Sequence, residues 1–286
     1  MKIIEPNVQE ITDFEGVDNF YKAVARAARI CYASDKTTDD KELCKRLIKS
    51  GHFSPFEHAI VYIPLYGEIR KWIDENKDSE EFKIIDWAKY SKYITSDYNE
   101  EKQHYELSIN GRILVESVVK YSDDYMKSLE NVLAILKRFE LNKHWFKSFI
   151  VDTSIGCTRE MNRHHDNFYI VEQSTRFVNF SKDKFGNEVT FNKPYWYDEC
   201  SFNKEFIWTD AMQYAENAYL DAIKNNIPVD IARGVLPLDT HTRAIYTATL
   251  EEWQHIIDLR LKGTTGKPHG DIMIIADKID KLIHHK

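Results

Sequence analysis

The residues best suited to chemistry lie in three stretches of the chain. The densest, CTREMNRHHDNFYIVEQSTRFVNF over 157–180, sets Arg159, Arg163 and Arg176 among Glu160, His164, His165, Glu172, Gln173 and Ser174. Forked guanidinium donors at that density suit a phosphate-bearing ligand, because arginine meets phosphate oxygens bidentately; a solvated charged face is the plain alternative. The second stretch, HFSPFEH over 52–58, gathers His52, Ser54, Glu57 and His58. A loop of that kind also serves simply to stop a helix and start a strand. The third feature is a single residue. Downstream of Thr249, Trp253, Ile256, Ile257 and Arg260 recur at i, i+3, i+4 and i+7, which puts a guanidinium on the stripe that faces the core. A buried Arg–carboxylate pair or a side chain snorkelling to solvent accounts for it blandly, and contact with an anionic ligand is the sharper reading.

Helices and strands must position these groups, and the apolar spacing predicts several of them. A short N-terminal strand precedes a helix over Asn19–Ala33, with Phe20, Ala23, Ala27, Ile30 and Cys31 on one face. A second helix is expected over about Asp39–Ser50, ended by Gly51 in the left-handed conformation. The β-branched and aromatic run His58–Tyr66 reads as a strand covered on both faces, with Pro64 at its end or at a sheet edge. Further helices are expected from Ser122, with Asp123 and Asp124 in the first turn, over Lys204–Asn225, and from Asp271 to the end. Thr242–Ala248 reads as a strand, and Thr249-Leu250-Glu251-Glu252 is a capping-box pattern that opens a helix to about Lys262.

Composition bounds the function. The 286 residues suffice for one large domain or two small ones. No stretch approaches the roughly 20 uncharged apolar residues of a membrane span, and the opening MKIIEPNVQEITDFEG lacks the apolar core of a signal peptide. A soluble, cytoplasmic protein with no membrane partner is expected. A net charge of −7 argues against a nucleic-acid surface while allowing a small anionic ligand. Cys31, Cys44, Cys157 and Cys200 are scattered without a CxxC pair, as suits reduced thiols rather than disulfides or a zinc ribbon.

Taken together, the three stretches resemble the flavin-dependent thymidylate synthases. HFSPFEH resembles that family's H-x-[ST]-x-FEH segment, RHHDNFYIVEQSTR over 163–176 its RHR…SxR signature, and ARGVLPLDTHTRAIYTATLEEWQHIIDLR over 232–260 its C-terminal block. All three occur in the family's order, and the resemblance covers roughly residues 1–66 and 152–280. It implies an α/β (α+β type) fold, a twisted mixed sheet flanked by helices, in a single catalytic domain over 1–286 with an insertion or subfamily elaboration at about 67–151. It also implies a homotetramer that binds FAD and dUMP at subunit interfaces and makes dTMP, with NADPH reducing the flavin and methylenetetrahydrofolate supplying the carbon, and with no metal.

Carried over residue by residue, the resemblance puts His52, Ser54, Arg163, His164, His165, Glu172, Thr249, Glu251 and His255 at flavin-contact positions. Glu160, Arg163, Gln173, Ser174, Arg176, Arg233 and Arg260 fall at dUMP-contact positions, some completing a neighbouring subunit's site. Arg176 and Arg233 would clamp the nucleotide phosphate, and Arg260 would act as the catalytic residue by offsetting negative charge on the uracil ring. Ser174 is expected as an anchor rather than a nucleophile, since spacing alone shows no base for it.

The sequence departs from the family pattern in two places. Arg163-His164-His165 stands where Arg-His-Arg is usual, with eight rather than seven residues before Ser174; either one residue is inserted, the reading that keeps Arg and His in the family order, or the register slides and His164-His165-Asp166 occupies the triplet. Thr249-Leu250-Glu251 stands where the family has Asn-x-Arg. Two rival readings follow: a nucleotide- or flavin-binding relative with altered or lost turnover, hydroxymethyl transfer included, and a metal-dependent phosphohydrolase of the HD type built on His165-Asp166.

Overall fold

The computed structural model describes residues 1–35, 37–65, 67–88, 93–199 and 201–284, with the side chains of all but 87 and 88. Cys200, Tyr66 at the expected strand end and the last two residues of the expected C-terminal helix lie outside the described residues. In chain order the elements are β1 (Lys2–Ile4), β2 (Asn7–Ile11), α1 (Phe20–Tyr32), α2 (Asp40–Lys49), β3 (Ile60–Pro64), α3 (Glu68–Glu75), α4 (Glu80–Ala88), β4 (Ile94–Asn99), β5 (His104–Asn110), α5 (Gly111–Tyr121), α6 (Tyr125–Phe139), β6 (Phe146–Ser154), α7 (Ile155–Met161), β7 (Phe168–Glu172), β8 (Thr190–Asn192), α8 (Phe202–Lys224), α9 (Val229–Ala232), β9 (His241–Thr249), α10 (Leu250–Arg260) and α11 (Gly270–His284). The α/β class expected from the sequence holds.

The strands divide among three sheets. A four-stranded sheet runs β2-β6-β9-β7, a three-stranded one β3-β5-β4, and β1 pairs with β8. The first two are antiparallel throughout, and the β1–β8 ribbon is parallel, so the mixing of strand directions falls between sheets rather than within one. β9 is central: it pairs β6 from Phe146↔Thr249 to Ser154↔His241 and β7 from Phe168↔Ala248 to Glu172↔Ala244. The site-bearing stretch 157–180 therefore lies directly against the C-terminal block.

α1 buries Phe20, Ala23, Val24, Ala25, Ala27, Ala28 and Ile30, and its alanines let the helix lie close to β7 and β9. Asp39 caps α2 by accepting from the Lys41 and Glu42 backbone N–H groups, and Gly51 beyond it holds φ +70°, as the sequence predicts. Helix α6 begins later than its acidic run suggests. Asp124 is its N-cap, accepting from Lys127 N, so Asp123 and Asp124 precede the first turn instead of occupying it. One core gathers α1, α2, β3 and the elements from α3 to α6; a second lies between the central sheet and α10–α11, around Trp253, Ile256 and Ile257; a third lies under α8, around Trp208, Met212 and Tyr219. No described helix is long and apolar enough to cross a membrane.

Candidate active site

The expected site residues fall into two neighbouring groups, joined by strand β7. The first centres on Arg260 at the end of α10. Thr249 Oγ1 accepts from Glu252 N at 3.2 Å and so caps the helix as the sequence predicts, while Trp253 Nε1 donates to Lys147 O at 3.0 Å and fixes the helix on β6. Facing it, Ser154 Oγ accepts from Cys157 N at 3.2 Å and starts α7, which carries Glu160. Arg260 Nε donates to His164 Nε2 at 3.3 Å, Nη2 to Glu160 O at 3.1 Å and Nη1 to Glu160 Oε2 at 3.4 Å. The guanidinium on the core-facing stripe thus has partners inside the chain. Three of its five N–H donors are used, which leaves donors on Nη1 and Nη2 for a ligand.

His164 is the turned-in member of its loop, 6 % exposed, whereas Arg163, His165 and Asp166 on either side stand in solvent. Its Nδ1 lies 3.3 Å from Glu252 Oε1, and its ring meets the exposed His255 edge-on at 5.9 Å. Glu251 is exposed on the first turn of α10. His164 is therefore engaged by α10, and among the described residues no group of three or more His, Cys, Asp or Glu is arranged to hold a metal ion.

The second group forms where β7 ends. Glu172 accepts from Thr158 Oγ1 at 3.0 Å and from Asn162 Nδ2 at 3.5 Å. Gln173 N donates to Arg243 O at 2.8 Å, and Ser174 N to Cys31 O at 2.9 Å, which ties the strand exit to the last turn of α1. Ser174 O accepts from Phe177 N and Val178 N, so 174–178 closes as a turn with Arg176 exposed upon it. Among the described residues no imidazole or carboxylate hydrogen-bonds the Ser174 hydroxyl. Arg233, exposed beyond α9, donates through Nη1 to Thr175 Oγ1 at 2.9 Å, so Ser174, Arg176 and Arg233 share one face. His52 joins them: its Nδ1 lies 2.8 Å from Tyr32 Oη, and the Tyr32 ring sits 5.7 Å from Phe177. Ser54, half-buried, opens the short 3₁₀ turn Ser54–His58.

Electrostatics separates this face from a large neighbouring cleft. That cleft, about 890 Å³, is lined by Arg26, Arg29, Lys184, His241 and Arg243, and of the expected contact residues it includes Gln173 alone. Its arginines are already neutralised, Arg26 by Asp13 at 2.6 Å, Arg29 by Asp40 at 2.7 Å and Arg243 by Asp152 at 2.7 Å. Burial pushes the His241 imidazole down to about 4, against the pull of Asp152. By contrast, among the described residues no carboxylate lies within 4.0 Å of Arg163, Arg176 or Arg233. The arginines open to an anion thus sit on the motif face, while those of the cleft are paired and its open cations, among the described residues, are Lys2 and Lys184.

Sequence reasoning missed Tyr32, Thr175 and Phe177, which frame the second group, and took Glu252 for a helix cap alone. Phe177 is 59 % exposed beside the motif arginine, and an aromatic residue in that place is the one signal available before the fold is known.

The chain matches the family described as thymidylate synthase complementing protein over residues 16–67 and 120–286, passing over the segment 68–119 that carries α3 to β5 and nearly all of α5. It is similar to the probable flavin-dependent thymidylate synthase of Paramecium bursaria Chlorella virus 1, at 26% identity over 152 residues, 48% of this chain and 70% of that one. Among solved structures, the UMP/dUMP methylase PolB from Streptomyces cacaoi bound with 5-Br dUMP aligns over 100% of this chain and 93% of its own at 16% identity, with a TM-score of 0.45. The same protein bound with 5-Br UMP aligns over 100% and 92% at 16% identity, with a TM-score of 0.47. Because the matched stretches take in more than half of its residues and all three motifs, the chain belongs to the thymidylate synthase complementing protein family.

Proposed function

We propose that this protein is a flavin-dependent thymidylate synthase, converting dUMP to dTMP with methylenetetrahydrofolate as carbon donor, NADPH as reductant and FAD as cofactor. The observation that carries the reading is the convergence of Ser174, Arg176 and Arg233 on one face, with neither guanidinium held by a carboxylate among the described residues. A nucleotide monophosphate brings about −1.5 to −2 charge near pH 7 and oxygens that such a pair can hold bidentately. Ser174 serves as an anchor beside them, with Gln173 and Glu160 lining the nucleotide. Arg260, steadied by Glu160 and His164, offsets the negative charge that makes the uracil ring nucleophilic at C5.

The residues present fit an anionic flavin cofactor. Arg163 and His165 stand exposed without carboxylate partners among the described residues, next to the His164–His255 contact, and such donors suit a diphosphate. With His52, Ser54, Glu172, Thr249, Glu251 and His255 they would hold FAD, which supplies the hydride chemistry when bound. The donors face outward from one protomer, in keeping with a ligand closed in by neighbouring subunits of a homotetramer. His165 and the exposed carboxylate of Glu251, at positions where the family carries arginine, favour a second reading in which nucleotide binds and turnover is altered or lost.

Titration of the purified chain with FAD and dUMP, read from the visible flavin spectrum, tests binding. Tritium release from 5-labelled dUMP with NADPH and methylenetetrahydrofolate tests turnover, and product mass separates methyl from hydroxymethyl transfer. Flavin binding with tritium release and a dTMP product is expected. Binding without release supports the second reading, and no flavin binding in the presence of dUMP overturns the first.

A further inference from the structure

Glu252 is an unusual residue for its place. It lies in the first turn of α10, 8 % exposed, where a carboxylate needs a partner to offset the loss of water. Its backbone N–H is taken by the Thr249 cap, and its carboxylate faces His164 Nδ1 at 3.3 Å. On the other side of the same imidazole, Arg260 Nε donates to Nε2 at 3.3 Å. An arginine N–H can donate there only if Nε2 carries no proton, which puts the imidazole proton on Nδ1, 3.3 Å from the negative charge of Glu252. The Arg260 hydrogen bond and the Glu252 charge thus favour the same tautomer. Without the carboxylate beside Nδ1, the imidazole is free to move its proton to Nε2, and two N–H groups then confront one another across the Arg260 contact.

Helix geometry makes the arrangement possible. Glu252 and Arg260 are eight residues apart on α10, about 12 Å along the axis. Helical side chains lean toward the amino end, so the Arg260 guanidinium reaches back while His164, entering from the loop after α7, fills the gap. Glu160 completes the set from α7, taking Nη2 on its carbonyl at 3.1 Å and Nη1 on its carboxylate at 3.4 Å.

We propose that Glu252 is a positioning residue of the nucleotide site, which fixes the tautomer of His164 and through it the direction in which Arg260 presents its guanidinium to the pyrimidine. The proposal rests on the assignment of Arg260 to dUMP above. It adds a residue that touches no ligand and acts through another, in the way a carboxylate behind a histidine orients that histidine's far nitrogen.

Two measurements on the full chain test it. The first needs no nucleotide: nitrogen-15 spectra of histidine-labelled protein, with His164 assigned by its loss in His164→Gln. Protonated Nδ1 and bare Nε2 are expected in the parent and in Glu252→Gln, whose amide oxygen still carries partial negative charge beside Nδ1, and a mixture of tautomers in Glu252→Met. The second is dUMP affinity by calorimetry with FAD present. Glu252→Met is expected to weaken dUMP binding about tenfold and Glu252→Gln by no more than about threefold, the scale on which orienting partners act. In an Arg260→Gln background, Glu252→Met is expected to add nothing, whereas damage to packing alone would persist there. A parent His164 with bare Nδ1, or a Glu252→Met loss that carries over undiminished into Arg260→Gln, overturns the proposal. If Arg260→Gln binds dUMP as the parent does, the assignment of Arg260 falls and the role of Glu252 toward the nucleotide falls with it, while the spectra still report separately on the tautomer.

Discussion

His58, the last residue of the HFSPFEH stretch, is wholly buried, with Nδ1 at 2.8 Å from Thr247 Oγ1 and Nε2 without a hydrogen-bond partner among the described residues. Burial alone pushes its imidazole down to about 3, and His241 is pushed to about 4, both from 6.5. The unfolded chain therefore takes up these protons first as pH falls. The stability they confer is complete above pH 6.5 and is lost as pH falls through 6.5 toward the folded-state values. Thermal unfolding followed from about pH 7 to about pH 4 is expected to show a declining melting temperature, and His58→Asn, whose amide can replace Nδ1 at Thr247, a shallower decline. Equal slopes in the two proteins would count against a neutral buried His58. At this scale the sequence was informative about kinds of residue and silent about partners. The i, i+3, i+4, i+7 stripe exposed Arg260 as an anomaly, and the structure gives the guanidinium the carboxylate partner of the plainer reading, while its remaining N–H donors are what the proposed ligand contact would use. Its partners Glu160 and His164 lie about a hundred residues away along the chain, at separations of 100 and 96, which local spacing cannot reveal.

At the scale of elements, the turn that begins at Ser54 is held by the end of the 68–119 segment. Gly111 N donates to Ala59 O at 2.8 Å, Asn110 Nδ2 to Glu57 O at 2.8 Å and Arg112 Nη1 to Glu57 Oε1 at 2.6 Å. A methyl group on Gly111 would lie 2.7 Å from Phe56 O and 2.9 Å from Phe20 Cε2, and the carbonyl belongs to a buried backbone that cannot easily yield. Gly111→Ala is expected to cost about 2 kcal/mol in urea unfolding, and a change below about 0.5 kcal/mol would show that the contact relaxes. The elements legible in the sequence were those with a clean period, a dense β-branched run or an end signal: α1, α2, β3, α6, α8, β9, α10 and α11. The ones missed explain themselves. β6 is buried on both faces through Phe146, Ser148, Phe149 and Val151, so it shows no alternation, and α3 buries Ile69 alone. β4 is a polar edge strand whose pattern comes from its partner β5 rather than from itself.

Across the whole molecule, α8 presents two faces of opposite use. Trp208, Met212 and Tyr219 enter the core as their spacing predicts, while Phe206, Ile207 and Tyr214 point outward at 59 %, 68 % and 68 % exposure, with Ile231 of α9 nearby in the chain at 65 %. Exposed apolar residues at helical spacing suit burial against another subunit, as the proposed homotetramer requires. Ile207→Asp combined with Tyr214→Asp is expected to lower the mass measured by light scattering below that of a tetramer, and an unchanged tetramer would remove α8 from the interface. The net charge of −7 takes on a narrower meaning beside this arrangement: carboxylates neutralise the arginines of the large cleft and, among the described residues, none neutralises those of the motif face. The hold of Asn110, Gly111 and Arg112 on the 54–59 turn also bears on the order in which the protein assembles. Those contacts close loops of more than fifty residues, with separations of 53 and 55 for the two side-chain bonds to Glu57. The turn therefore cannot take its final shape when its own residues leave the ribosome; it waits for β5 and the start of α5, and its amides are expected to exchange with solvent no more slowly than the 68–119 segment opens.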